Sequence, residues 1–126
     1  MGADSFYHTA RGATAKEAFA KARADAQFQH GHGGYTGTIA EKTTFEVIEV
    51  PADFVPPDRT RYDAVTRTRV PVVYDPADDP LGDTRRTAYA EHLMQAEDPR
   101  IDDKWGPAGA ILLKEDNWLF FGYASS

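Results

Sequence analysis

From residue 14 onward the apolar positions recur with helical spacing. Ala15, Ala18, Phe19, Ala22 and Ala26 fall on one narrow stripe, while Lys16, Glu17, Lys21, Arg23 and Asp25 face elsewhere. Thr14 and Glu17 have the spacing of a capping box, in which a hydroxyl and a carboxylate each accept from an otherwise unpaired amide. Gly31 stands where a left-handed C-terminal cap is expected. The pattern predicts a helix from Thr14 to the glycine-rich turn His30-Gly31-His32-Gly33-Gly34. Its stripe is mostly alanine, so it can approach a sheet closely, with Phe19 as the large anchor.

Elsewhere the pattern is that of strands. Residues 4–10 read as a first strand. Thr36 to Ala40 and Phe45 to Val50 read as two strands joined at EKTT into a hairpin, or else as one long strand. Residues 51–61 hold three prolines and read as an irregular connection. In 62–74 the valines favour strand, and Pro71 confines that strand to an edge or an end. A second acidic, proline-containing loop covers 75–83. A second helix is expected from Asp83 or Thr84 to Ala96, with Ala90, Leu93, Met94 and Glu97 along its stripe and Asp98-Pro99 ending it. The chain closes with two near-continuous apolar runs, Ile111-Leu112-Leu113 and Trp118 to Tyr123, separated by Lys114 to Asn117. This is the pattern of a hairpin covered on both faces for part of its length. The expected architecture is a single α+β domain over 1–126, a mainly antiparallel sheet of about four to six strands with two helices packed on one face.

Composition narrows the class. Apolar residues make up 41% of the chain, with seven Phe, six Tyr and two Trp, enough for a folded core. A net charge of −6 disfavours direct binding to nucleic acid or anionic membrane. Arg59, Arg61, Arg67 and Arg69 would share one face of an extended segment, a local basic patch whose ordinary role is a solvated surface. There is no cysteine, which removes disulfides, thiolate nucleophiles and Cys-ligated zinc. That fits a cytoplasmic protein. No signal-peptide core and no membrane-length apolar window is visible. Phe6 stands where a myristoylation motif requires Ser or Thr.

The candidate chemistry centres on the glycine-rich turn. Gly33 and Gly34 let backbone approach a ligand, His30 and His32 could donate to an anion or hold a metal, and Tyr35 and Thr36 add hydroxyls. The glycines follow a helix rather than precede one, and no nucleotide-binding fingerprint is present, so an ordinary connection is the simpler reading. His8 and His92 would complete a three-histidine metal site only if they converged, and no ligand spacing supports it. Glu41 beside Lys42 offers an acid–base pair if the turn folds back. The acids Asp75, Asp78, Asp79 and Asp83 do not fit a calcium-loop spacing. Trp105 lies in a loop bounded by glycine and proline and either plugs a sheet edge or walls a binding site, with Tyr35 and Tyr123 as its rim.

These signals favour a non-enzymatic binding module over a catalyst. It would bind a protein partner or a small anionic ligand through His30, His32, Gly33, Gly34, Tyr35, Thr36 and Trp105. No catalytic residue, metal or cofactor is assigned. Self-association as a homodimer is expected, because a terminal apolar strand at a sheet edge can pair across a two-fold axis. The alternatives are an enzyme centred on His30, His32 and Glu41, and an acidic mimic that occupies a nucleic-acid-binding protein through Asp75 to Asp83.

Overall fold

A computed structural model describes residues 2–30 and 36–126, without the side chain of His30. The order is β1 (Ala3–Arg11), α1 (Ala15–His30), β2 (Phe45–Val47), β3 (Arg59–Asp63), β4 (Thr68–Val72), α2 (Asp83–Gln95), β5 (Ala108–Leu112) and β6 (Asn117–Ser125). One sheet has four strands in the order β1-β6-β5-β2, and β3 and β4 form a separate two-stranded hairpin. The fold is α+β with a mixed sheet. β1 and β5 run antiparallel to β6, and β2 runs parallel to β5.

The capping box forms, with one change of partner. The Glu17 amide donates to Thr14 Oγ1 at 3.2 Å, and the Glu17 carboxylate accepts from the Ala13 amide at 3.2 Å rather than from Thr14. The alanine stripe of α1 is buried as expected, and Phe19 stacks near Phe45 and Phe120 with ring centroids 5.0 and 5.5 Å away. Together with Phe6, Ala10, Ala108, Ala110 and Ala124 these residues make one core. A second core joins Ala90, Leu93 and Met94 of α2 to Ile48, Ile111, Leu119 and Phe121.

The two cores take alternate residues of the same strands: Ala110 and Phe120 belong to the first, Ile111 and Phe121 to the second. Successive strand residues point to opposite faces. The helices therefore lie on opposite faces of the sheet, not on one face as the sequence reading expected. The cause is visible in the terminal hairpin. Apolar runs without alternation need cover on both sides, and one helix supplies each side.

Three other expectations change. Thr36 to Ala40 is not a strand. Thr38 Oγ1 accepts from the Ala40 amide at 3.2 Å and opens a 3-10 turn over Ile39–Glu41. No hairpin joins this segment to β2, whose partner is the distant β5. A short polar side chain that bonds its own backbone offers the chain an alternative to a ladder, and here that alternative prevails. Finally, β6 lies between β1 and β5, so the C-terminal strand is central and not an edge. Residues 62–74 contribute to two strands, with Pro71 on β4, which pairs on one side only.

Helix α2 takes its cap from outside its first turn. The Asp79 carboxylate accepts from the amides of Thr84 and Arg85 at 3.1 and 3.0 Å and from the Tyr74 hydroxyl at 2.8 Å. At the other end Glu97 adopts φ 51°, with its amide on Met94 O and the Asp98 amide on Leu93 O, the two bonds of a Schellman motif. Among the described residues no helix is long and apolar enough to cross a membrane.

Candidate binding site

From Thr36 the described chain runs through a closely bonded segment. Thr36 donates both its amide and its hydroxyl to Glu41 Oε2, at 3.2 and 2.8 Å, and its hydroxyl also meets Thr38 Oγ1 at 2.8 Å. The Gly37 amide donates to Ser125 O at 2.8 Å, which ties the segment to the end of β6. Ile39 is fully buried in the α1 core. Glu41 is thus committed to Thr36. The expected acid–base pairing with His30 and His32 finds its carboxylate already bonded to its own loop.

Lys42 has the least expected place. Its side chain is 1% exposed, and its ammonium donates to the carbonyls of Asp103, Lys104 and Gly106 at 3.1, 3.3 and 2.9 Å. Burial pushes its pKa down, and the nearby Asp103 carboxylate pulls it partly back up. The sequence offered no signal for this role, since a lysine between glutamate and threonine reads as a solvated turn.

The three carbonyls belong to one tight turn. The Gly106 amide donates to Asp103 O at 2.9 Å, and the Trp105 amide donates to Asp103 Oδ1 at 2.9 Å. The turn is therefore fixed by its own Asx bond and by a buried cation from 61 residues away in sequence. It displays Trp105 at 62% exposure, with the Lys104 ammonium 5.5 Å from the indole centroid. Beside it lies a 340 Å³ hollow lined by Ala3, Glu97, Asp102, Lys104 and Tyr123.

Of the residues expected to form the site, Thr36 and Trp105 are thus both anchored through the segment that ends at Lys42. His32, Gly33, Gly34 and Tyr35 lie outside the described residues, as does the expected cap Gly31. His30 is the last residue of α1, and its side chain is likewise outside the description. Tyr123 is half-buried and donates to Met94 O at 3.2 Å, so its hydroxyl faces α2. His8 shares the α1 face of β1 with Phe6 and Ala10. His92 projects from α2 on the other side, stacked on Tyr89 at 6.0 Å. Among the described residues no three metal-binding side chains gather.

The other charged groups are engaged locally. Asp75 Oδ1 accepts from the Ala77 amide, Asp79 caps α2, and Asp83 accepts from the Lys114 amide at 2.8 Å. The arginines of the hairpin do not share a face. Arg59 and Arg61 pair with Val72 and Val70, whereas Arg69 pairs with Tyr62 and points to the opposite side. Arg59 is held by Glu91 at 2.9 Å. A 480 Å³ hollow beside β2 is bordered by Arg85 and Arg86, but Arg85 is bonded to the carbonyls of Phe54 and Pro51 and Arg86 to Leu81 O and Asp83. Both guanidinia are thus tied to neighbouring backbone carbonyls, Arg85 through Nε and one terminal nitrogen and Arg86 through a single terminal nitrogen. Comparison with protein-family models, curated proteins and solved structures gives no significant match to the chain.

Proposed function

We propose that this chain is a non-enzymatic binding module that engages a protein partner through Trp105. The supporting observation is the clamp beneath it: a buried ammonium bonded to three carbonyls of the turn that displays an exposed indole. Taking a charged lysine out of water is costly, and here its visible return is the fixed shape of one surface turn. A rigid aromatic anchor binds with little further loss of conformational freedom, and tryptophan is among the side chains that dominate interface energetics.

A small anion is the weaker reading for this end of the molecule. The neighbouring hollow sets Glu97 and Asp102 against the single cation Lys104, a field that repels negative charge.

The test is capture from host extract on the immobilised chain, comparing wild type with Trp105→Ala and with Val65→Ala. Val65 is 92% exposed at the tip of the separate β3–β4 hairpin and serves as the surface control. A partner retained by wild type and by Val65→Ala but lost from Trp105→Ala is the expected outcome. Equal retention by all three, with unchanged circular dichroism, removes Trp105 as the anchor.

A further inference from the structure

The long open edge of the main sheet belongs to β1. Nine residues of β1 pair with β6 in one unbroken register from Ala3↔Ser125 to Arg11↔Asn117, without a bulge. Gly2 O accepts from the Ser126 amide and the Gly12 amide donates to Asp116 O. Even-numbered residues of this strand therefore turn their backbone groups toward β6, and the odd ones, Ala3, Ser5, Tyr7, Thr9 and Arg11, turn theirs outward. All five odd residues are exposed, with Tyr7 at 47%. Among the described residues no other backbone group bonds this outward row.

Two of the other exposed strands carry the usual protections. β2 has three residues and Pro51 follows soon after it, and β4 contains Pro71. β1 has no proline, no lysine and no bulge, the devices that blunt an edge.

We infer that β1 is a homodimer interface, in which two copies pair edge to edge, antiparallel, about a two-fold axis at Tyr7. Using the whole strand fixes the register. Tyr7 then faces its own copy, Ser5 faces Thr9, and Ala3 faces Arg11, each pair exchanging two backbone bonds. On the other face Phe6 meets His8 and Asp4 meets Ala10. No like charges stand opposite one another, and the hydroxyls of Ser5 and Thr9 can bond across the join. The sheet would become continuous through both protomers. Of this surface only Ala3 also borders the hollow beside the Trp105 turn, and Trp105 itself takes no part in the pairing.

Two variants and one control test it. Thr9→Pro removes an outward amide while leaving the bonds to β6 intact, so the chain should stay folded and lose association by sedimentation or light scattering. Tyr7→Cys introduces the sole thiol of the chain. At the two-fold the paired Cα atoms stand about 5.5 Å apart, within disulfide reach. Mild oxidation should therefore convert this variant to a covalent dimer much faster than Phe28→Cys, placed on the exposed side of α1. Trp105→Ala should associate like wild type. A wild-type chain that stays monomeric at high concentration overturns the inference. So does equal crosslinking of the two thiol variants, or loss of association in Trp105→Ala. If Thr9→Pro does not fold, the crosslinking comparison still decides.

Discussion

Lys42 and Gly106 are joined by a 2.9 Å hydrogen bond from a buried ammonium to a backbone carbonyl, across 64 residues of sequence. This bond and its two companions convert a surface loop into a fixed turn. Lys42→Met keeps most of the apolar stem but takes the ammonium from three carbonyls, of which Asp103 O retains the Gly106 amide. It should lower unfolding stability by roughly 3 kcal/mol in urea titrations. In a Trp118→Phe background, the anisotropy of the remaining indole should also fall as the turn loosens. A stability change below about 0.5 kcal/mol would mean that the clamp contributes nothing beyond an ordinary surface side chain.

Gly109 sits against Phe121, its partner in the β5–β6 ladder. A methyl group there would stand 2.5 Å from the ring, so the ring or the strand would have to shift. Gly109→Ala should destabilise the protein by about 2 kcal/mol through overpacking. Combined with Phe121→Leu, the loss should be less than the sum of the two single changes, the signature of residues sharing one space. Strict additivity in a double-mutant cycle would contradict the contact.

Glu97 occupies the left-handed position of the α2 C-cap, at φ 51°. A side chain with a Cβ is strained there and glycine is not. Glu97→Gly should raise stability by about 1 kcal/mol, read as a higher melting temperature with an unchanged circular dichroism spectrum. A lower melting temperature would show that the Glu97 side chain contributes more than the strain it introduces.

Two carboxyls link stability to acid. Burial tends to raise the Asp79 pKa, but hydrogen bonds from Tyr74 and from the Arg85 and Thr84 amides outweigh it and hold the carboxyl below its ordinary value. For Asp98 the Arg100 guanidinium is the main cause of a similar depression. A carboxyl with a lower pKa in the folded state contributes stability that is fully present above its unfolded value of about 3.9. That contribution is lost as pH falls through the folded value. The urea midpoint should therefore drop as pH is taken below about 4. Asp79→Asn and Asp98→Asn should each make the drop shallower. Parallel curves for wild type and variants would remove these two groups as its cause.

What the sequence by itself determined was local. The Thr14 cap and the alanine stripe set α1, Asp98-Pro99 closes α2, and the apolar runs around Lys114 to Asn117 set the terminal hairpin. Each depends on side chains within a few residues of one another, where spacing alone decides which face is apolar. Trp105 could likewise be picked out as an aromatic in a loop. Only the tertiary structure decided which strands are neighbours. The parallel pairing of β2 with β5, the central place of β6 and the exposure of β1 all join segments far apart in sequence, where periodicity carries no information about partners. The same holds for the two faces of the sheet, although the unbroken apolar run Leu119-Phe120-Phe121 already required cover on both. Lys42 shows the limit most plainly. Its charge marked it for solvent, and only the arrival of three carbonyls from the 103–106 turn made its burial tolerable.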